Sequence, residues 1–373
     1  MDFDLSDEQT AITDLAAKVL GDHCTQEQLR AVEDGDAPGF DRALWAKLAD
    51  AGLLGVDIPE SSGGLGLGFF ELCLLLEEVG RTVAPVPALA GLGMGAAALV
   101  RFGSADQQAA WLPEIAAGRR LLTAALVEPL GAPTQPSTTA RRHGHGWVLD
   151  GVKVCVPAGL YADGILVSAT TEDGAGLFLV DPSAPGVDRQ RQDTISLAPE
   201  ALVGLDGVRV SDADVVGVRD GSTLADAIQL ATAATCAVLV GVTSAAVRLT
   251  AEYTKTREQF GKAIAMFQAV GQRAADAFID TAAIRLTTMQ AVWRLSAGLP
   301  AEKEVAVAKY FASEGGQRVV RGAAHLHGGM GVSREYPLHR YYALAKQLEL
   351  TLGSGTRQLA TLGRLLADEP VDA

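Results

Sequence analysis

At 373 residues, the chain is longer than one hydrophobic core usually supports, so two or three domains are expected. Its composition is 48% hydrophobic but only 5% aromatic, which favours a helix-rich protein built on small aliphatic side chains. The net charge of −14 argues against nucleic acid as a partner, because phosphate binding requires a basic surface. An anionic small molecule is still compatible with this charge, since a few local cations or backbone N–H groups suffice to bind it.

The remaining bulk features favour a cytoplasmic protein without a metal centre. The four cysteines are widely scattered, and neither they nor the histidines show the spacing of metal ligands. The chain start has neither the basic residues nor the apolar stretch of a secretory signal. The apolar run at 227–247 is interrupted by polar residues and glycine, so a buried helix explains it better than a membrane span.

The first block, residues 1–118, is predicted to be helical. Ser6 and Gln9 have the spacing of a capping box, and the helical apolar pattern "AITDLAAKVL" follows them. A second such pattern covers residues 40–54. A glycine-rich loop at 58–68 then leads into another helix. These features predict an N-terminal helical domain.

The pattern changes at residue 119 and again at residue 223. Five short β-rich runs separated by glycine, proline and aspartate predict a middle antiparallel β domain over 119–222. From 223 to 373 the pattern is helical again, which predicts an antiparallel four-helix bundle. The four predicted helices cover 224–253, 268–298, 302–326 and 336–367. The fold class is therefore α+β and multi-domain.

Three stretches in this order resemble the acyl-CoA dehydrogenase family over nearly the whole chain. Residues 44–81 are similar to the family's N-terminal signature, and "REQFGKAIAMFQAVGQR" at 257–273 is similar to its flavin-nucleotide loop. The third stretch, "HLHGGMGVSREYPLHRYYALAKQ" at 325–347, is similar to its C-terminal glycine motif. The resemblance implies the family's fold, an FAD cofactor, an acyl-CoA substrate and electron-transfer flavoprotein as the electron acceptor.

In this family each FAD lies across a subunit interface, and the facing subunit contributes the arginine loop to the nucleotide. The resemblance therefore implies that Arg257 binds the pyrophosphate, for which its guanidinium has a suitable fork of donors. Gly328 and Gly329 would let the backbone approach a phosphate closely. His325 stands where most members carry a glutamine. The other implied contacts are two polar and two apolar side chains: Gln259, Gln268, Phe260 and Phe267.

The family's reaction is α,β-desaturation of an acyl-CoA thioester, in which a carboxylate removes the α-proton. Members supply this base from one of two positions. Matching the "GT" dipeptides places Ser354 at the C-terminal position, whereas an ungapped count places Leu352 there; the other position is Ala231. None of these residues is an acid. The resemblance therefore implies that this chain has no catalytic base of its own.

The residues expected beside the flavin ring also depart from the family pattern. The family's "TEPxxGSD" is "VEPLGAPT" at 127–134, and its "WxT" strand is "CVP" at 155–157. The chain thus keeps what it would contribute to a partner's FAD and lacks what it would use for its own. In this respect it resembles the non-catalytic subunits of heteromeric acyl-CoA dehydrogenases of actinobacterial sterol side-chain degradation, which implies a homologous catalytic partner in a heterotetramer.

Three alternatives stay open at the level of sequence. One is a self-sufficient homo-oligomeric dehydrogenase that uses Glu349 as a displaced base. Another is different flavin chemistry on the same scaffold, such as nitroalkane oxidation, which would need an aspartate at one of the two base positions. The third is an assembly or regulatory protein that binds no flavin, against which the intact arginine loop argues.

Overall fold

The computed structural model describes residues 4–35, 39–196 and 198–368. The N-terminal part is helical, as predicted, and Ser6 and Gln9 form the expected capping box. A π-helical segment, Leu89–Ala96, leads directly into the fifth helix. The α-helices of this part are α1 Asp7–His23, α2 Gln26–Glu33, α3 Arg42–Asp50, α4 Phe69–Thr82, α5 Ala97–Phe102 and α6 Ala105–Ala116.

The middle of the chain forms an eight-stranded sheet. Its strands are β1 Leu122–Ala125, β2 Thr139–His143, β3 Gly146–Pro157, β4 Gly164–Thr171, β5 Gly174–Val180, β6 Val187–Gln192, β7 Glu200–Ser211 and β8 Val215–Val216. The order is β6-β7-β3-β2-β4-β5-β8, and β1 pairs with β4. Most pairings are antiparallel, as predicted, but β4 is parallel to both β1 and β2.

Three of these strands, β2, β6 and the two-residue β8, have no counterpart among the five predicted runs. β2 reads "TARRH" and β6 reads "VDRQRQ", and most of their side chains are exposed or half-buried. Such strands lack the apolar signal that identifies a strand from sequence, because neighbouring strands rather than a buried face hold them in place. The β7 strand, for example, pairs with β6 over six residues.

The C-terminal part is helical. Its helices are α7 Ser222–Thr256, α8 Gln268–Ser296, α9 Glu302–His327, α10 Leu338–Leu350 and α11 Gly355–Ala367. Within the described ranges, α7 is the one helix long and apolar enough to cross a membrane, and 89% of its most apolar window is buried inside the protein. The expectation of a buried core helix therefore agrees with its packing.

The prediction of one continuous helix over 336–367 is wrong. α10 ends at Leu350, α11 begins at Gly355, and the residues between them include Leu352 at φ 58° and Gly353 at φ 107°. Positive φ values interrupt a right-handed helix. The buried side chain of Lys309 reinforces this end, since its Nζ donates to the carbonyls of Leu348 at 2.5 Å and Glu349 at 3.3 Å.

Two apolar cores support this arrangement. The larger core joins the N-terminal helices to the C-terminal helices, and the smaller one lies within the sheet. α4 and α7 cross with their backbones in contact, because a Cβ on Gly80 would lie 2.0 Å from the carbonyl oxygen of Val238, and one on Gly241 would lie 1.8 Å from that of Glu77. This close crossing fixes α7, whose end carries the arginine loop.

Candidate functional site

The stretch from Arg257 to Phe267, here called the arginine loop, is a β-hairpin. Strands β9 Glu258–Gln259 and β10 Lys262–Ala263 pair around a two-residue turn formed by Phe260 and Gly261. Both turn residues have positive φ, 56° and 77°, as a type I′ hairpin turn requires. The amide of Ile264 donates to the carbonyl of Arg257 at 2.8 Å and closes the base of the hairpin. The loop is therefore an ordered protrusion.

Two phenylalanines form the apolar part of this protrusion. Phe260 is 91% exposed, although a bulky side chain in the left-handed region is strained. It contacts half-buried Phe267 edge-to-face, with ring centroids 6.2 Å apart. The ammonium of Lys262 lies 4.5 Å from the centroid of the Phe267 ring. The contact with Phe267 leaves most of the Phe260 ring exposed on a strained turn, so this tip is suited to an external surface or ligand.

The glycine turn, defined here as Gly328–Gly329, lies directly after α9. Gly328 has φ 59° and ψ −138°, a backbone conformation that is open to glycine and strained for other residues. A Cβ on Gly329 would meet no atom within 4 Å. Packing within the chain therefore does not explain glycine at 329, whereas close approach of an external group to the backbone would.

The arginine loop and the glycine turn meet at the ends of α7 and α9. Tyr253, four residues before Arg257, donates from its hydroxyl to the carbonyl of His327 at 3.3 Å, and His327 immediately precedes Gly328. The predicted nucleotide contacts lie on these two elements, at the first residue of α8 and, for His325, in the last turn of α9. Seven of the eight are exposed: Arg257, Gln259, Phe260, Gln268, His325, Gly328 and Gly329. The structure thus brings the predicted contacts onto one open face.

A second candidate region is a cavity of about 150 Å³ between the sheet and the helices. Most of its lining is apolar and comes from α2, α4, the residues after α4, and α10. Pro157 and Ala158, at the end of β3, lie on its sheet side, so the altered "CVP" segment faces this cavity. Cys155 itself has φ 51° beside a β-bulge. The cavity is where this chain's own flavin and substrate would be sought.

Neither predicted base position places a side chain in this cavity. Ala231 is fully buried in α7, and the α7 residue that lines the cavity is Val238. Leu352 is buried, and Ser354 is the residue that precedes α11. Glu349 also does not line the cavity, and its carboxylate is 2.8 Å from the ammonium of Lys346. An ion-paired carboxylate outside the cavity is poorly placed to remove a substrate proton.

Two acids line the cavity, Glu33 and Glu200, and the sequence analysis missed both. Glu33 is held in an ion pair by Arg340, which donates from Nη2 to its carboxylate at 3.0 Å. Glu200 is 7% exposed and accepts a hydrogen bond from Gln347 at 2.5 Å. Burial raises the pKa of Glu200, partly offset by hydrogen bonds from Gln347 and the thiol of Cys155. Ser196 also donates to Gln347, so the three polar side chains join the sheet to α10 across the cavity. Glu200 lies opposite Pro157 because of the register between β3 and β7. No sequence motif indicates this position, so sequence reasoning could not find Glu200.

The altered "VEP" segment is organised around a buried ion pair that was also unforeseen. The ammonium of Lys153 lies 2.6 Å from the carboxylate of Glu128, and their side chains are 0% and 5% exposed. Glu128 also accepts hydrogen bonds from the amides of Ser137 at 2.6 Å and Thr138 at 2.9 Å. Lys153 additionally donates to Ser168 at 2.8 Å. Glu128 therefore serves the fold of this loop and is not available to a ligand.

A row of apolar side chains is exposed on α8. Ile279, Leu286 and Trp293 follow one another at seven-residue spacing and are 63%, 53% and 37% exposed. Seven residues are close to two helical turns, so the three side chains lie on one face. We call them the α8 stripe. Large apolar surface arranged in this way is characteristic of protein–protein contacts.

Comparisons with known proteins agree with this architecture. A model of the acyl-CoA dehydrogenase N-terminal domain matches residues 6–119, and a model of the acyl-CoA dehydrogenase C-terminal domain matches residues 222–367. The acyl-CoA dehydrogenase FadE27 of Mycobacterium tuberculosis is 39% identical over 379 residues, which cover 99% of this chain and 100% of the relative. FadE28 of the same organism is 36% identical, with 97% and 98% covered.

Solved structures give the same result. The ChsE4-ChsE5 complex from Mycobacterium tuberculosis contains a chain that is 40% identical to this one, with a TM-score of 0.94. The match covers 100% of both chains. The Tcur3481-Tcur3483 steroid ACAD contains one with 43% identity and a TM-score of 0.92, and the match covers 97% of this chain and 98% of that chain. With these matches spanning all three parts of the fold, the chain belongs to the acyl-CoA dehydrogenase family.

Proposed function

We propose that this chain is the base-lacking subunit of a heteromeric acyl-CoA dehydrogenase. A homologous catalytic subunit would carry the base and desaturate the acyl-CoA thioester, while this chain would complete the binding of the FAD that the partner holds. The observation that supports this proposal most directly is the asymmetry between an open, unpaired nucleotide-binding face and a cavity without a suitably placed base.

The cavity side supports the absence of independent catalysis. Removal of an α-proton needs a carboxylate within hydrogen-bond reach of the substrate carbon. Two acids line the cavity. Glu33 is paired with Arg340, and Glu200 stands on the sheet side, where the family's flavin ring lies, with its carboxylate held by Gln347. A base must approach from the face opposite the flavin. Glu200 is therefore unsuited to this role, and Glu349 is paired with Lys346.

The open face supports a contribution to a partner's cofactor. FAD is the cofactor of the acyl-CoA dehydrogenase family, and when bound it accepts the hydride removed from the substrate. The guanidinium of Arg257 is exposed and makes no ion pair or side-chain hydrogen bond within the described part of the chain. An unpaired arginine beside an open glycine turn suits a pyrophosphate. Gln259, Gln268 and His325 would then contact the remaining polar groups of the nucleotide, with Phe260 and Phe267 covering its apolar parts.

The α8 stripe supports association with another subunit. Two of its three side chains are more than half exposed, which is unfavourable unless a second surface covers them. Two of the similar solved structures are described as a two-component complex and as a steroid ACAD. We therefore propose a homologous partner in a cytoplasmic heterotetramer, an acyl-CoA with a steroid side chain as the substrate class, and electron-transfer flavoprotein as the acceptor.

Co-expression with a candidate homologous subunit tests this proposal. The chain alone, the partner alone and the complex are purified, and the flavin absorption and acyl-CoA oxidation of each are recorded. We expect bound flavin and turnover in the complex and negligible turnover by this chain alone. Normal turnover by the isolated chain would support the self-sufficient alternative, and a colourless, inactive complex would support an assembly protein.

A single substitution tests the shared cofactor. Arg257→Ala in this chain should lower FAD occupancy of the complex, although this subunit lacks the base. Arg209→Ala is the matched control, because Arg209 is another exposed arginine, forms no ion pair with the residues that the structure describes, and lies on β7, away from the arginine loop. Equal FAD occupancy in the two variants would contradict the assignment of Arg257.

A further inference from the structure

An aromatic cluster lies behind the arginine loop and the glycine turn. The ring of Tyr253, near the end of α7, stacks on that of His327, at the end of α9, with centroids 4.3 Å apart and planes inclined by 24°. Tyr336, from the segment before α10, lies against both rings, with centroid distances of 4.9 Å to His327 and 6.0 Å to Tyr253. We call these residues the Tyr253–His327–Tyr336 clamp.

Hydrogen bonds fix the orientation of the central ring. Nδ1 of His327 is 2.8 Å from the carbonyl oxygen of Ala323, and a carbonyl only accepts, so Nδ1 carries the proton. Nε2 of the neutral ring is then an acceptor, and the hydroxyl of Tyr336 donates to it at 3.1 Å. His327 is 3% exposed, and burial lowers its pKa, which favours the neutral form. Both ring nitrogens are thus satisfied.

The clamp connects directly to the backbone of both exposed elements. The amide of Arg257 donates to the carbonyl of Tyr253 at 2.9 Å, and His327 is the residue before Gly328. The hydroxyl of Tyr253 donates in turn to the backbone carbonyl of His327. A change in the position of either ring would therefore shift the base of the arginine loop or the start of the glycine turn.

We propose that the clamp positions the arginine loop and the glycine turn relative to each other, so that both meet one nucleotide. This inference rests on the proposed function, since it assumes that the two elements contact the same FAD. Exposed residues such as Arg257 and Gly329 have no core of their own to hold them. Their relative placement must come from the buried side behind them, and that side is the clamp. Tyr253, His327 and Tyr336 are thus positioning residues.

Amide hydrogen exchange on the isolated chain tests the mechanical part of this inference. Tyr336→Phe keeps the ring and removes only the hydroxyl that satisfies Nε2 of His327. We expect amide exchange in the arginine loop to rise roughly fivefold, the change that corresponds to loss of a hydrogen bond worth ~1 kcal/mol. Tyr341→Phe is the matched control, because it removes a buried hydroxyl near the start of α10 that donates at 2.9 Å to the carbonyl of Arg81 on α4 and not to the clamp. Equal exchange in the arginine loop of both variants would overturn the clamp.

The complex with the catalytic partner tests the functional part. Tyr336→Phe should weaken FAD binding roughly fivefold for the same reason, while turnover per bound FAD stays unchanged, because the clamp touches no reacting atom. General destabilisation would instead lower both quantities together with the melting temperature. If Arg257→Ala weakens FAD binding and Tyr336→Phe does not, the clamp is overturned and the shared cofactor stands. If neither substitution has an effect, both inferences fail.

Discussion

The buried pair of Lys153 and Glu128 allows a quantitative test of how the altered loop beside the cavity is held. We consider Lys153→Met, Glu128→Gln and the double variant. Lys153→Met leaves a carboxylate that is 5% exposed but still accepts from Ser137 and Thr138. Glu128→Gln leaves a fully buried ammonium that keeps Ser168 at 2.8 Å and a neutral amide oxygen as acceptors but has lost its counter-charge. The lysine is thus left with the poorer environment.

These contacts set the expected magnitudes. Removing one partner of a buried ion pair typically costs 3–5 kcal/mol, so we expect about 3 kcal/mol for Lys153→Met and about 4 kcal/mol for Glu128→Gln. The double variant removes both buried charges, and its destabilisation should fall short of the sum by about 2 kcal/mol. The surface pair of Lys255 and Glu252 provides the control. Its side chains are 63% and 67% exposed, and Lys255→Met should cost less than about 0.5 kcal/mol.

Urea denaturation of the four variants, followed by circular dichroism and tryptophan fluorescence, gives these free energies of unfolding. The pH dependence provides a second measurement. Burial would raise the pKa of Glu128, but hydrogen bonds from Lys153, Ser137 and Thr138 outweigh it and lower the pKa from 4.5 to about 2. The carboxylate therefore stabilises the fold above its unfolded pKa, and this contribution is lost as pH falls toward about 2. Lys153→Met should move the loss to higher pH. The reasoning would be refuted if the losses of unfolding free energy in the two single variants simply added in the double variant and if Lys153→Met lost stability at the same low pH as the unchanged chain.

Three further outcomes are expected. Burial lowers the pKa of Lys309 from 10.5 to about 8, so its contribution to stability should rise with pH between these values. Burial lowers the pKa of Lys153 to about 8 as well, so Lys309→Met should reduce the rise measured in urea titrations without abolishing it. Gly329→Ala should leave the melting temperature nearly unchanged, since its Cβ meets no atom within 4 Å, yet lower FAD occupancy of the complex, measured by flavin absorption. Ser354→Glu in the isolated chain should not produce acyl-CoA oxidation with an added electron acceptor, because the flavin-ring contacts are also altered; measurable turnover would contradict this.

The sequence was informative where local chemistry decides the structure. The capping box of Ser6 and Gln9 and the glycine-rich loop before α4 both depend on residues close in the chain, and both are present. The break after α10 was missed even though Gly353 lies there. The neighbouring residue Leu352 has a positive φ, which leucine does not prefer. Lys309, from another helix, donates to the carbonyl of Leu348 at the end of α10. Tertiary contacts decided that boundary.

The residues of the candidate site also fall into two groups, those that a motif predicts and those that only tertiary packing reveals. Arg257 and the glycine turn were predictable because a motif carries them, and the structure then showed that they share one face. Glu200 and Lys153 carry no comparable signal, and Tyr336, although it lies within the glycine motif at 325–347, has no residue pattern that indicates its contact with His327. Glutamate and lysine are ordinarily surface residues, so only strand register and the packing of distant helices reveal that these two are buried. Pairing of residues far apart in sequence is the information that one sequence lacks.

The α8 stripe also bears on how much of this chain a cell can accumulate. A newly made copy that has not met its partner exposes Ile279 and Leu286, the kind of surface that chaperones and proteases recognise. A partner that binds only the folded chain stabilises it by mass action, in proportion to the logarithm of the partner's concentration. Supply of the partner would therefore set the abundance of this subunit, and excess copies would be degraded. For the proposed heteromeric assembly, matched synthesis of the two subunits would follow from three side chains on one helix.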